Sequence, residues 1–187
     1  DVVGINGWGW ASKLLDRVEH PAMYHAINFK LSVTNAANGA HVIRSLPVFR
    51  CPSDSSMETW VLKNPMGTPV ATLATANYIG NFGTDGLDAC LSFTPGMTCV
   101  GDGVLMHNRT IRFADISDGT SSTLMIGERK TREDLDWHST WAGVMAGGDE
   151  SFQRILGVTD HVPNSPAAHF DDFSSHHATG GHFLLGD

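Results

Sequence analysis

The spacing of apolar residues changes along the chain and divides it into an early helical part and a later part of short strands. The first apolar residues at helical spacing are Ala11, Leu14, Leu15 and Val18. This spacing predicts an amphipathic helix over residues 11–19, which Pro21 breaks or restarts. Two further helices are predicted, a short one through residues 23–27 and another over residues 35–46, before Pro47.

Shorter apolar runs follow, and they favour extended structure. Residues 48–51 form the first such segment, ended by Pro52. From residue 70 onward, the turns between the runs are rich in Gly, Asp, Asn and Pro. The predicted strands cover residues 75–80, 103–106, 110–114, 123–128, 140–145, 154–158 and 182–185. This order predicts an α+β fold, in which N-terminal helices are followed by an antiparallel sheet with long loops.

Length, composition and charge narrow the class of protein. The chain has 187 residues, of which 41% are apolar, so we expect a single domain over residues 1–187 with a sizeable core. The formal net charge is −8 without a basic run, which argues against nucleic acid as a partner. The sequence contains no run of 18 apolar residues, so no membrane-spanning helix is predicted. Because the chain opens without Met or a signal peptide, we expect it to be the processed part of a longer polypeptide.

Three cysteines set the redox expectations. Cys90 and Cys99 bracket a short segment with a Pro-Gly turn, and a disulfide that closes so short a loop stabilises a fold by about 2–3 kcal/mol. The spacing predicts a Cys90–Cys99 disulfide, and the alternative is three reduced thiols in a cytoplasmic protein. Cys51 follows an apolar run, which favours a buried free thiol. Because no CxxC pair occurs, a cysteine zinc site is not predicted.

Short motifs along nearly the whole chain are similar to those of one bacterial family. They are Gly7-Trp8-Gly9-Trp10, Ile27-Asn28-Phe29, Arg50-Cys51-Pro52-Ser53-Asp54, Asn77-Tyr78-Ile79-Gly80-Asn81, Asp102-Gly103-Val104, RFADISDGTS over residues 112–121, Gly127-Glu128-Arg129, Thr140-Trp141-Ala142-Gly143 and Asp172-Phe173-Ser174-Ser175-His176-His177. His177 and Asp187 then have H-x9-D spacing, where the family signature is H-x9-D-G. Each motif alone is weak evidence for the family, but their order along the chain is specific. The chain resembles prepilin-like proteins, similar to the major pseudopilin of type II secretion, that have been described as a domain of unknown function.

This resemblance implies a pilin-like globular head with a structural role rather than an enzymatic one. Such proteins carry a prepilin cleavage and methylation motif and then a hydrophobic anchor helix, neither of which lies in residues 1–187. Contact with a membrane is therefore expected only through that missing helix. The resemblance also implies an extracytoplasmic location, in the periplasm or at the cell surface. The implied partners are further copies of the chain or a larger surface or secretion complex.

A candidate cation site lies in the segment from Asp115 to Thr123. Asp118 precedes Gly119, and this pair is typical of a tight turn, so a structural turn is the favoured interpretation. The alternative is a calcium site in which Asp115, Asp118 and Asp102 supply oxygen ligands. The resemblance adds support for calcium, because some pseudopilins bind it in a C-terminal loop. No other cofactor is indicated.

A second candidate site is the histidine-rich end of the chain, since five of the ten histidines lie between His161 and His182. Imidazole and carboxylate groups together bind zinc and other transition metals, and His177 and Asp187 are the candidate ligands. No HExxH-type spacing is present, so a structural role is favoured over a metal site, and catalysis comes third. We expect His177 to pack beside the last strand and to bond a backbone carbonyl or Asp187.

Two tryptophans near the start, Trp8 and Trp10, alternate with glycine and so can face one side of an extended segment. Exposed indoles stack on sugars or dock partners, whereas buried ones anchor a core or a subunit interface. Both interpretations stay open for this pair, and the anchoring role is favoured for Trp137 and Trp141. Three functions follow in order of preference: a structural assembly subunit, a surface glycan- or ligand-binding module, and a metal-dependent hydrolase.

Overall fold

The chain folds into short helices followed by two small sheets. The computed structural model describes residues 7–92 and 98–187. Its helices are α1 (Trp10–Lys13), α2 (Pro21–Ala26) and α3 (Gly39–Val42), and its strands are β1 (Thr59–Lys63), β2 (Pro69–Ala74), β3 (Tyr78–Gly83), β4 (Leu124–Glu128), β5 (Leu156–Val158) and β6 (Phe183–Leu185). Short 3-10 helices cover Ala36–Asn38, Pro47–Phe49, Leu87–Ser92, Phe113–Asp115, Thr120–Ser122 and Glu133–Leu135. The predicted α+β class is confirmed.

The helices are shorter than their apolar spacing predicts. After α1 the chain continues as turns to Glu19, whose positive φ of 67° is incompatible with a continuing helix. Pro21 begins α2, which is the second of the two roles predicted for it, because the first helical position needs no N–H donor. The helix predicted over residues 35–46 is divided into a 3-10 turn and α3. Among the described residues, no helix has both the length and the apolarity to cross a membrane.

The strands form one pair and one four-stranded sheet. β1 and β2 are antiparallel, with Trp60 opposite Leu73. The larger sheet has the order β5-β3-β4-β6, so β5 and β6 lie at its two edges. The pairs β3–β4 and β4–β6 are antiparallel, as predicted, whereas β3–β5 is parallel. The sheet is therefore mixed, and β5 reaches it through a long loop segment.

The strand predictions fail where loops carry buried residues. Residues 140–145 were predicted as a strand, but Gly143 has a φ of +156° and interrupts the extended run, while Trp141 and Met145 are buried in the core. Residues 103–106 and 110–114 are not strands either, and residues 48–51 begin within a 3-10 helix. In contrast, β1 was missed, although Trp60 and Leu62 are buried and alternate with exposed residues.

Two apolar clusters form the interior. The first joins α1, α2 and α3 to the β1–β2 pair and includes Leu15, Leu62 and Trp141. The second lies beside β3 and β5 and includes Phe82, Leu156 and the two paired cysteines. The predicted Cys90–Cys99 disulfide is confirmed, with a Cα–Cα distance of 5.5 Å. The second cluster is small, so this crosslink reinforces a part of the fold with little apolar burial of its own.

Candidate functional site

Histidines of the C-terminal segment approach two groups of acidic residues, and His176 approaches Asp54 instead. His177 and His182 approach the carboxylate of Glu128. His161 instead approaches Asp172. The segment that the sequence presents as one histidine-rich stretch therefore forms two separate clusters of ligand-type side chains.

The first group, which we call the Cys51 cluster, consists of Cys51, Glu128, His177 and His182. His177 Nε2 lies 3.4 Å from Cys51 Sγ and 3.6 Å from Glu128 Oε1. His182 Nδ1 lies 3.1 Å from Glu128 Oε2. Cys51 and Glu128 are each 1% exposed, whereas the two histidines reach the surface. The cluster therefore has an inner side in the core and an outer side towards solvent.

Hydrogen bonds to the backbone N–H and carbonyl of Cys51 fix its position. Its N–H donates to Asn77 Oδ1 at 3.0 Å, and its carbonyl accepts from the N–H of Asp54 at 3.0 Å. Pro52 follows directly and restricts the backbone of this turn. The thiol is thus fixed at the start of a rigid turn rather than on a flexible loop.

Glu128 is placed by the sheet, because it is the last residue of β4. Its N–H donates to His182 O at 2.9 Å, and its carbonyl accepts from Ser174 N–H at 2.9 Å. Gly127 precedes it, and a Cβ at that position would collide with the ring of Phe173. The missing side chain lets the aromatic ring pack against the strand and bring the C-terminal segment next to Glu128.

The electrostatics of the Cys51 cluster pair a protonated thiol with an ionised carboxylate. Burial raises the pKa of the Cys51 thiol, and its hydrogen bond with Glu128 raises the pKa further. Burial also raises the pKa of Glu128, but hydrogen bonds with Cys51 and His182 and the nearby His177 together lower it by more, so the net pKa lies below the usual value. Tyr78 is opposite Glu128 in the β3–β4 register, and burial, Cys51 and Glu128 raise its pKa.

A buried hydrogen-bond network around Asp54 supports the cluster from within. Asp54 Oδ2 accepts from Asn77 Nδ2 at 2.5 Å and from Thr131 N–H at 2.8 Å, and Oδ1 accepts from Ser56 N–H at 2.9 Å. Burial raises the pKa of Asp54, but the bonds from Ser56 and Thr131 lower it by more, so the net pKa lies below the usual value. His176 Nε2 is 3.8 Å from the same carboxylate.

The second cluster contains Asp160, His161, His169 and Asp172. His161 Nδ1 is 3.1 Å from Asp160 Oδ1 and 3.2 Å from Asp172 Oδ2. The backbone N–H of His169 donates to Asp172 Oδ2 at 2.6 Å. Burial, with a hydrogen bond that the protonated Asp172 donates to neighbouring Asp160, raises the pKa of Asp172 to about 6. In this cluster Asp160 and His169 are exposed and Asp172 is buried, while the His161 side chain is 30% exposed, close to the 32% of His177 in the Cys51 cluster.

The predicted calcium ligands Asp102, Asp115 and Asp118 line one cavity of about 270 Å³. The carboxylate of Asp102 accepts from the N–H and hydroxyl of Thr84 at 2.7 and 2.8 Å. Asp115 is paired with Arg112, with an Oδ1–Nη2 distance of 2.8 Å. In the described part of the chain, two groups of three ligand atoms lie within 4.8 Å of one another, and neither includes these aspartates. Calcium binding here stays a prediction.

The two ends of the H-x9-D spacing lie at opposite ends of β4. His177 lies beside Glu128, the last residue of β4. Asp187 is two residues after Leu185, which pairs with Leu124, the first residue of β4. Four residues of extended strand cover about 13 Å. The ring of His177 therefore does not bond Asp187, which was one of its two expected partners. Asp187 lies outside the Cys51 cluster.

Trp8 and Trp10 line a cavity of about 230 Å³ together with Phe29. Trp8 Nε1 donates to Leu31 O at 2.9 Å, and Trp10 Nε1 donates to Ile155 O at 3.0 Å. Both tryptophans are half-buried. Each indole therefore fixes a neighbouring loop while it also borders a cavity, so the anchoring and the ligand-binding interpretations describe the same two side chains.

Comparison with known proteins gives a family but no activity. The sequence matches the profile of a family described as "Protein of unknown function (DUF1559)" over residues 2–187. The chain belongs to this family. No curated protein and no solved structure gives a significant match. The function of this DUF1559 protein therefore has to be argued from its own residues.

Two members of the Cys51 cluster were missed as site residues by the sequence reasoning. Cys51 was interpreted as a buried free thiol, and it is buried and free, but Glu128 and His177 face its sulfur. Glu128 was noted only as part of a Gly-Glu-Arg motif. The available signal was that both residues lie within motifs that carry the resemblance stated from the sequence, although their separation of 77 positions in sequence gives no indication that they meet.

Proposed function

We propose that this DUF1559 protein is a non-enzymatic, extracytoplasmic subunit, similar to a pseudopilin, that assembles with copies of itself or into a larger surface or secretion complex. The motifs shared with prepilin-like proteins along the chain support this proposal. The observation that carries it is the apolar edge of the larger sheet at β6.

β6 has the features of an assembly edge. Phe183, Leu184 and Leu185 are 41%, 53% and 41% exposed, and the strand contains no charge or proline. Edge strands of monomeric proteins are usually protected by such residues, because an open apolar edge pairs with other chains. An exposed β6 edge therefore supports docking by strand addition or by apolar contact.

The disulfide supports the extracytoplasmic part of the proposal. Disulfides persist in oxidising compartments and are rare in the cytosol. Cys90 and Cys99 are paired while Cys51 is free. Alkylation of natively isolated protein in denaturant without reductant, which exposes the buried Cys51, should therefore label one thiol per chain as measured by mass spectrometry. Labelling of all three cysteines without reductant would contradict an oxidising location.

Self-association tests the role of β6. We expect the sedimentation coefficient of the wild-type chain to rise with concentration, and Leu184→Lys to weaken this association at least tenfold by placing a charge on the edge. Met66→Lys is the matched control, because Met66 is 85% exposed in the turn between β1 and β2. A wild-type chain that stays monomeric, or an equal effect of both variants, would argue against assembly through β6.

The gene itself offers a second test of the pseudopilin resemblance. A prepilin cleavage motif and an apolar helix encoded ahead of Asp1 would support the proposal and would supply the only expected contact with the membrane. A start codon placed directly before Asp1 would count against it.

The cavity at Trp8 and Trp10 favours a second candidate function, the binding of a sugar or another small ligand. Aromatic walls suit stacking on a sugar ring, and the cavity of about 230 Å³ has room for a single small unit. A glycan array, followed by titration of tryptophan fluorescence, tests this candidate. Binding should be lost in Trp8→Ala and kept in Trp137→Ala, which lies away from the cavity; binding unaffected by Trp8→Ala would reject the site.

A further inference from the structure

Three ligand-type side chains from distant segments meet in the Cys51 cluster, and this arrangement goes beyond the proposed assembly role. Cys51 follows a 3-10 helix, Glu128 ends β4, and His177 lies in the C-terminal loop. Their ligand atoms all lie within 4.8 Å of one another. We propose that Cys51, Glu128 and His177 bind one zinc ion that links these three segments.

The distances between the ligand atoms fit a tetrahedral zinc ion. With Zn–S near 2.3 Å and Zn–N or Zn–O near 2.0–2.1 Å, tetrahedral angles place S and N about 3.5 Å apart and N and O about 3.4 Å apart. The observed values are 3.4 Å from Cys51 Sγ to His177 Nε2 and 3.6 Å from His177 Nε2 to Glu128 Oε1. These two distances match a tetrahedral site, and the third, between Cys51 Sγ and a carboxylate oxygen of Glu128, is within 4.8 Å.

The donor set selects zinc over the hard cations. Thiolate and imidazole ligands favour zinc and other transition metals, whereas calcium and magnesium require oxygen ligands. The candidate carboxylates at Asp102, Asp115 and Asp118 provide oxygen only, so the two candidate sites differ in the metal they would bind.

The second carboxylate oxygen of Glu128 is already oriented. Its Oε2 accepts from the backbone N–H of His182 at 3.0 Å and lies 3.1 Å from His182 Nδ1. Oε1 is the oxygen that faces His177. Hydrogen bonds of this kind to a ligand carboxylate fix its orientation at metal sites, so His182 is a positioning residue.

Burial determines how the ion enters and what completes its coordination. The side chain of Glu128 is 1% exposed and that of His177 is 32% exposed, so the approach to the cluster is from the His177 side. In the described part of the chain, the ion-pair partners of Glu128 are histidines rather than Lys or Arg. A zinc ion would supply the positive charge next to this buried carboxylate, and a water molecule facing the solvent would take the fourth position.

Metal titration of the whole chain tests the proposal. After treatment with a chelator and without reductant, the protein should take up one equivalent of zinc, and cobalt should give the near-ultraviolet charge-transfer band of a thiolate ligand. The band should disappear in Cys51→Ser, and zinc affinity should fall at least tenfold in His177→Ala. His182→Ala should weaken zinc binding by about 10–100-fold while keeping the thiolate band.

His161→Ala is the matched control, since His161 belongs to the second cluster with Asp160 and His169. This variant should keep both the zinc stoichiometry and the thiolate band. Zinc should also raise the melting temperature of the wild type, because it binds only the folded chain, and should not raise that of Cys51→Ser.

Several results would overturn the zinc site. These are no stoichiometric zinc uptake by the wild type, a cobalt spectrum without a thiolate band, or loss of binding in His161→Ala rather than in His177→Ala. If Cys51→Ser fails to fold, the cobalt spectrum of the wild type and zinc binding by His177→Ala, a change at a partly exposed residue, still test the site. Self-association through β6 is measured separately, so the two proposals fail independently.

Discussion

The apolar cluster around Leu62 and the polar interior around Arg129 stabilise neighbouring parts of this molecule in different ways. The first packs α1, α2 and α3 against β1 and β2 through mostly apolar side chains. The second lies where β3, β4 and the C-terminal segment meet, and it buries Asn77, Arg129 and Arg154. Apolar contacts tolerate changes of shape, whereas buried polar groups require their own partners. The proposed zinc site lies on the polar side of this division.

Arg129 shows how demanding the polar interior is. Its guanidinium donates to Ser139 Oγ, Phe170 O and Gln153 O, and it lies 4.2 Å from the centre of the Phe170 ring. Burial and the neighbouring Arg154 lower the pKa of Arg129 to about 9, so the guanidinium stays charged at neutral pH. One side chain thus bonds a hydroxyl and two carbonyl groups from three different segments of the chain.

The largest expected effect comes from Arg129→Met, which keeps most of the apolar stem but removes the donors. Buried carbonyl groups lose their partners, and we expect the free energy of unfolding to fall by about 3–5 kcal/mol. Urea unfolding followed by circular dichroism measures this change. A loss of unfolding free energy below about 1 kcal/mol would show that the polar interior is no more sensitive to substitution than the apolar cluster.

Asp54→Asn should have the next largest effect, about 2 kcal/mol at pH 7, because the new amide meets the N–H donors of Asn77 and Thr131. The pKa of Asp54 is lowered by folding. Its contribution is therefore complete above the ordinary carboxyl pKa, near pH 4, and is lost as the pH falls through the lower folded value. Unfolding titrations between pH 7 and pH 3 should show a smaller loss of stability in the variant than in the wild type. Parallel pH curves would contradict this role of Asp54.

Leu62→Met applies the same replacement residue to the apolar cluster. Leu62 is fully buried, but leucine and methionine have similar volumes, so we expect a loss of at most about 1.5 kcal/mol. The same urea unfolding experiment compares it directly with Arg129→Met. An equal or larger loss for Leu62→Met would remove the contrast between the two regions.

The same contrast explains how far the sequence predicts the structure. Helical apolar spacing located the helix containing the buried Ala11, and apolar runs bounded by turns located β4 and the exposed edge strand β6. The polar interior has no such period, since Cys51 meets Glu128 and His177 only after three loops fold together. The sequence therefore predicted His177 as a candidate ligand but not the two residues that it contacts.

The smallest expected effect is that of Asp115→Asn, at the surface and away from both interiors. Asp115 accepts from the backbone N–H and the guanidinium of Arg112, which lowers its pKa, but the pair is exposed to solvent. Exposed ion pairs contribute little to stability, and an asparagine oxygen keeps the backbone bond, so the melting temperature should not change measurably. Melting curves with and without calcium make the test specific. If calcium raises the melting temperature of the wild type but not of the variant, Asp115 is a ligand, and the surface loop has a function that its ion pair does not explain.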